Sequence, residues 1–272
     1  MSVINTNVNA LFAQTALRVN NRSLSSAMEQ LSTGSRVNSA KDDAAGVSIA
    51  STMTAQIRGL GQAVKNANDG VSLLQTAEGS MIEQTNMLQR MRELAVQAST
   101  DTYSTEQKGY LQNEYAALKS QIGNITDQTR WNGDKILDGS GGNAGVYSIA
   151  VGTTGAETID VTIADMSTLA LTKTIGGAGA DAAGALGEID VALQAVNASR
   201  STIGAGINQL TYAADNMNNV IQNATASRSQ VVDTDYATAT TQLARAQIIQ
   251  QAATAMLAQA NQSPQSVLAL LK

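Results

Sequence analysis

Between Ile49 and Ala98 an apolar residue returns at every seventh position: Met53, Leu60, Ala67, Leu74, Met81, Leu88 and Ala95. The interleaved positions, Ile49, Gln56, Ala63, Gly70, Ala77, Gln84, Met91 and Ala98, are mostly small or apolar. A repeat of 3.5 residues draws one continuous stripe along a helix and makes it the seam of a coiled coil. Over roughly 45 residues such a helix is about 65–70 Å long, at 1.5 Å per residue. Few compact domains can house it, so the chain is expected to be mainly α and elongated. Composition agrees. Aromatics are 3% of the chain, with one Phe (Phe12) and one Trp (Trp131), and Pro264 is the only proline. Ala, Leu, Ile, Val and Met suit close helix packing, and almost nothing forces a helix to break.

The remaining segments extend this pattern. Ser104–Gln107, "STEQ", is a capping box opening a second helix with Leu111, Tyr115, Leu118, Ile122 and Ile125 on one face. "WNGDKILDGSGGNAG" ends helical periodicity with Asn-Gly, Asp-Gly and Gly-Gly turn signals. In "ETIDVTIAD" the apolar Ile159, Val161 and Ile163 alternate with polar residues, as in a half-buried strand. Residues 141–184 therefore read as a small β-hairpin insertion. Helical spacing returns at Leu186 with Ile189, Val196, Ile203, Leu210 and Met217 on one ladder, and Leu193, Arg200, Ile207 and Ala214 on its companion. Arg200 is the one charge in that seam, either a register-setting position or a side chain reaching to its edge.

Both ends carry matching stripes: Ala10, Leu17, Leu24 and Leu31 at the start, and Ala239, Leu243, Ala246, Ala253, Leu257, Ala260 and Leu271 at the finish. The order is an out-and-back helical hairpin, a coiled-coil rod with its end segments paired. Three parts are expected: a terminal segment (1–44 with 231–272), a rod (45–140 with 185–230) and the insertion (141–184). Polar linkers, "SRVNSAKDDAAG" and "SRSQVVDTD", separate the first two.

The same sequence excludes much chemistry. It has no His and no Cys, which removes Ser-His-Asp and Cys-His arrangements and zinc sites built on those ligands. No Walker loop is present, and "GGAGADAAG" lacks the third glycine and the preceding buried strand of a dinucleotide loop. Asp42–Asp43 and Asp233/Asp235 fall in linkers, where carboxylates cap helices. No catalytic, cofactor-binding or metal-binding residue is assigned, and an enzyme is not expected. A net charge of −5 without a dense Lys/Arg cluster argues against nucleic acid. No apolar run is long enough to span a bilayer, and the opening residues are not a charged-then-apolar signal, so no membrane insertion or cleavable leader is expected.

"MSVINTNVNALFAQTALRVNNRSLSSAMEQLSTGSRVNSAKDDAAGVSIA", "LQRMRELAVQA" and "AQIIQQAATAMLAQANQSPQSVLALLK" together resemble bacterial flagellin. The resemblance covers about residues 1–140 and 185–272, with a middle too short for the large outer domains of many flagellins. It implies an extracellular helical homopolymer for motility, in which Leu17, Leu24, Leu31, Leu243, Ala246, Ala253, Leu257, Ala260 and Leu271 pack in the filament core and neighbouring copies bury the terminal stripes. It further implies type III export, an export chaperone, a filament cap protein and hook-associated junction proteins as partners. Arg90, Leu94 and Glu114 match positions sensed by a host Toll-like receptor, and "VLALLK" resembles a segment sensed by inflammasome receptors. Ala239 stands where many relatives carry Glu. Two alternatives remain at this stage: a hook–filament junction protein of the same fold, and a secreted adhesive or receptor-binding protein using the insertion.

Overall fold

The structure, a computed structural model, describes residues 6–176 and 179–269. Among them run α1 (Val8–Thr33), α2 (Ala44–Ser99), α3 (Thr105–Gln128), β1 (Arg130–Trp131), β2 (Asp134–Lys135), β3 (Val146–Ala150), β4 (Thr158–Thr162), a single 3-10 turn (Met166–Thr168), α4 (Gly179–Val232) and α5 (Tyr236–Ala269). The mainly helical architecture with a small β-hairpin is the one the periodicity predicts. The chain divides into two compact units, Met1–Ile57 with Gln222–Lys272, and Arg58–Ile221.

In the Arg58–Ile221 unit the heptad seam of α2 forms the core. Ala67, Leu74, Ala77, Met81, Leu88, Met91, Ala95 and Ala98 are fully buried, as are Ile189, Val196, Ile203 and Leu210 of α4. Arg92 Nε donates to Asp190 Oδ1 at 2.9 Å, and Arg200 Nη2 lies 3.9 Å from Glu78 Oε1, so α4 runs antiparallel to α2. Arg200 thus reaches to the seam edge. Burying each Leu- or Ile-sized side chain contributes about 1.5–3 kcal/mol, which makes this seam the main stabilising element of the unit.

The third helix is fixed at its start by the expected box: Ser104 Oγ accepts from Gln107 N–H, and Gln107 Oε1 accepts from Ser104 N–H. It brings Tyr115 and Ile122 into the core and sets its register to α2 through Gln84 Nε2, which donates to Thr126 Oγ1 at 2.9 Å. The β3–β4 hairpin pairs Tyr147 with Val161 and Ile149 with Ile159. Two glycines make room for it on the helices. A Cβ on Gly70 would strike Ile149 and Leu210, and one on Gly206 would lie 2.8 Å from Val161 Cγ1.

Four details depart from the sequence reading. Ile49 is 47% exposed, and full burial of the seam begins only at Ala63. Helix α2 has 56 residues, because Ala44–Ser48 continue it beyond the seam. Helix α4 begins at Gly179, inside the expected insertion. The run from Asp181 to Ala185 is alanine-rich, with Asp181 in the first turn, where a negative charge complements the helix dipole. Last, "RWNGDK" is itself a hairpin: β1 pairs antiparallel with β2 around Asn132 and Gly133, both at positive φ (51° and 97°), the conformation that Asn-Gly turns favour.

Candidate functional site

The terminal unit is built on α1 and α5, whose backbones approach within 8 Å of Cα separation. Small residues on α5 permit that approach. Ala239 and Ala246 are buried, and Leu243, Ala253, Leu257 and Ala260 are half-buried on the same face. On α1, Leu17, Leu24 and Leu31 are half-buried, with Asn20 and Ala27 buried between them. These are the stripe residues singled out from sequence, and they pack within one chain. Leu271 lies outside the described residues.

Polar side chains pin the pair in register. Asn7 Nδ2 donates to the Ala260 carbonyl at 2.7 Å, Asn20 Nδ2 to the Ala246 carbonyl at 2.8 Å, and Gln250 Nε2 to Asn21 Oδ1 at 3.3 Å. The helices are therefore antiparallel. The linkers join too: Arg36 N–H donates to the Val232 carbonyl at 2.6 Å and Thr234 N–H to the Gly34 carbonyl at 3.0 Å, around a bridge between Ser35 and Asp233. Both acidic clusters act as local caps. Asp43 Oδ1 accepts from Gly46 N–H in the first turn of α2, and Asp235 accepts from Ala237 N–H and the Thr238 hydroxyl at the start of α5. The Thr238 hydroxyl, then the backbone amides, hold the Asp235 carboxyl below its ordinary range. Asn7, the N-cap of α1, and Asn20, inside the apolar stripe, carry no period of their own and leave no signal of this role in the sequence.

Once the seam is closed, the pair still exposes large apolar side chains. On α1 these are Val8, Leu11, Phe12, Val19 and Met28; on α5 they are Tyr236, Ile248, Ile249 and Met256. Their exposures run from 44% for Ile249 to 72% for Phe12, the only phenylalanine of the chain. Nothing in the two-helix pair covers these faces.

On the Arg58–Ile221 unit, Arg90 Nε donates to Glu114 Oε1 and Arg90 Nη1 to Glu93 Oε2, both at 2.9 Å. The bonds to Glu114 and then Glu93 raise the guanidinium pKa still further. The structure thus joins Arg90 and Glu114 in one exposed cluster. Leu94 is different: it is 1% exposed. Although it lies off the ladder through Leu88 and Ala95, Leu94 belongs to the same buried cluster, which also takes in Tyr115 of α3.

Two family profiles match the sequence, the bacterial flagellin N-terminal helical region over residues 4–141 and the bacterial flagellin C-terminal helical region over residues 186–271. The chain belongs to the bacterial flagellin family. A flagellin of Halalkalibacterium halodurans is 41% identical over 274 positions, covering 99% of this chain and all of that one. Flagellin B of Vibrio cholerae is 34% identical over 374 positions, covering 98% of this chain and 99% of its own. Among solved structures, a Bacillus cereus flagellin superposes with a TM-score of 0.51 at 28% identity, over 56% of this chain and 88% of that one. A hook-associated protein from Vibrio parahaemolyticus, at 14% identity and a TM-score of 0.62, shares the fold over 71% of this chain and 100% of its own.

As a flagellin the chain is a structural subunit of the extracellular flagellar filament and polymerises with copies of itself; it is not an enzyme. The full-length match to filament proteins separates it from the junction-protein alternative. No described helix is long and apolar enough to cross a membrane.

Proposed function

We propose that the α1–α5 pair is the polymerising element, with segments 1–44 and 231–272 forming the filament core. Residues 45–140 with 185–230 form the helical rod, and residues 141–184 a small β-rich insertion in it. One observation carries this. The seam of Leu17, Leu24, Leu31, Leu243, Ala246, Ala253, Leu257 and Ala260 is satisfied within the chain, yet nine large apolar side chains remain outside it. Each of them leaves apolar surface in water that a packed neighbour would remove. A second copy is the fitting occupant for a family that polymerises. The seam residues then support the core by holding each subunit's own pair together, while the outer faces join neighbours.

Seeded polymerisation followed by sedimentation tests the assignment. Phe12→Glu and Ile248→Glu should each reduce pelletable polymer at least tenfold while helical content is retained. Normal polymer from both variants would remove the outer faces from the interface.

The family resemblance adds partners of finer detail: hook-associated junction proteins, a filament cap, and a chaperone that masks α5 before type III export. It also supports a host Toll-like receptor meeting the Arg90–Glu114 cluster and inflammasome receptors meeting residues 267–272. In this reading Leu94, whose side chain is buried, supports the contact surface from within the core.

A further inference from the structure

We propose that Met28 and Met256 are oxidation sites whose conversion to sulfoxide blocks self-assembly. The proposal rests on the reading that the outer faces of α1 and α5 join neighbouring copies. Methionine is sensitive to oxidation only where an oxidant can reach its sulfur, and this chain sorts its methionines sharply. Met81 and Met91 are fully buried, Met166 and Met217 are 3% and 4% exposed, and Met53 and Met87 are half-buried. Among the described residues only Met28, at 56%, and Met256, at 66%, stand open. Met256 lies off the closed seam, and Met28 stands at its open edge, on the flank of α1 next to Leu24 and Leu31.

The antiparallel register places each beside other exposed apolar residues. Asn7 lies opposite Ala260 and Asn20 opposite Ala246. Met256, four residues before Ala260, is therefore level with Leu11 and Phe12. Met28, eight residues beyond Asn20, is level with the start of α5, where Tyr236 is 57% exposed. A sulfoxide at either position turns an apolar side chain into a strong acceptor, and burying it against a neighbour is unfavourable unless a donor there pairs with it.

The chemistry needs a two-electron oxygen donor such as hydrogen peroxide. The thioether sulfur attacks one peroxide oxygen, the O–O bond breaks, and the sulfoxide and one water form. A thiol-dependent sulfoxide reductase reverses the change, consuming two thiols and giving a disulfide and water. Copies already packed in a filament would shield both sulfurs, so the subunit is vulnerable only before it is incorporated.

Purified monomer treated with hydrogen peroxide and mapped by peptide mass spectrometry should show Met28 and Met256 oxidised before Met81, Met91, Met166 and Met217. Seeded polymerisation of that sample should fall at least tenfold and recover after treatment with the reductase and dithiothreitol. The Met28→Leu/Met256→Leu chain should polymerise equally with and without peroxide, since leucine nearly conserves volume. In preformed filaments both sulfurs should resist the same dose. Normal polymerisation of the doubly oxidised wild type, or equal loss in the peroxide-treated double variant, would overturn the proposal. Failure of untreated wild type to polymerise would overturn the assembly reading and this proposal with it, a result distinguishable because it requires no oxidant.

Discussion

Asn20 reaches across 226 residues of sequence to donate its Nδ2–H to the Ala246 carbonyl at 2.8 Å. It does so from a position between Leu17 and Leu24 that an apolar side chain could fill. A polar residue in a coiled-coil seam trades stability for a single register. Here the small Ala246 side chain is what lets the amide reach the opposite backbone.

Register is therefore the property that Asn20→Leu should change. The pair should stay helical and gain stability by up to about 1–2 kcal/mol from the added apolar burial, but slide. The chain has no cysteine, so Asn21→Cys with Gln250→Cys reports the native alignment. Wild-type background should crosslink fully under mild oxidation, and the Asn20→Leu background only in part. Complete crosslinking in both would remove the register role.

Two glycines two residues apart on α4 separate packing from propensity. A Cβ on Gly204 meets nothing within 4 Å, whereas one on Gly206 meets Val161, a β-branched side chain held in a paired strand. Gly204→Ala should stabilise the Arg58–Ile221 unit by about 0.5–1 kcal/mol through helix propensity alone. Gly206→Ala gains the same propensity but must displace Val161, and overpacking typically costs about 1–3 kcal/mol, so the net effect should be destabilising. Denaturant midpoints that shift in the same direction for both variants would show that the hairpin is not seated on α4.

How far these features can be read from sequence depends on how local their cause is. The α2 seam from Ala63 onward, the Ser104 capping box and the β4 alternation each rest on neighbours within a few residues, and each is present as expected. Leu94 is buried although it lies off the ladder through Leu88 and Ala95, and a single seven-residue ladder does not reveal a second covered flank. The same holds for the terminal pair. Its stripe residues were visible as a period, but that α1 and α5 would satisfy them mutually, leaving Phe12, Ile248 and Met256 outside, depends on which face each helix turns inward. Arg200 shows the limit from the other side: a charge in a seam is plain in sequence, while its reach toward Glu78 requires the position of the facing helix.

Acid should loosen the start of α5. The Thr238 hydroxyl and the Ala237 amide stabilise ionised Asp235 and depress its folded pKa below the ordinary carboxyl value of 3.8. A depressed folded pKa contributes stability that is fully present above the unfolded value and is lost as pH falls through the folded one. Amide exchange at Ala237 and Thr238 should therefore lose its protection as pH falls below about 4. In Asp235→Asn, whose side chain can still accept from those amides, the protection should not change with pH over that window. An unchanged pH profile in the asparagine variant would assign the effect to another group.

Arg90 and Leu94 are four residues apart, yet they should behave as different kinds of position. Leu94 is 1% exposed in the core, and truncating a buried leucine typically costs about 2–5 kcal/mol. Arg90 is exposed, and its ion pairs with Glu93 and Glu114 are solvent-screened surface pairs. Leu94→Ala should therefore lower the denaturant midpoint of the monomer markedly, while Arg90→Ala leaves it unchanged within error. In a Toll-like receptor assay on monomer, a weakened response from Arg90→Ala, with its fold intact, identifies a contact. A weakened response from Leu94→Ala should instead track the fraction unfolded and return when the assay is run at a temperature where that variant is folded. A Leu94→Ala monomer that is fully folded but still silent would place Leu94 at the receptor surface and contradict its burial.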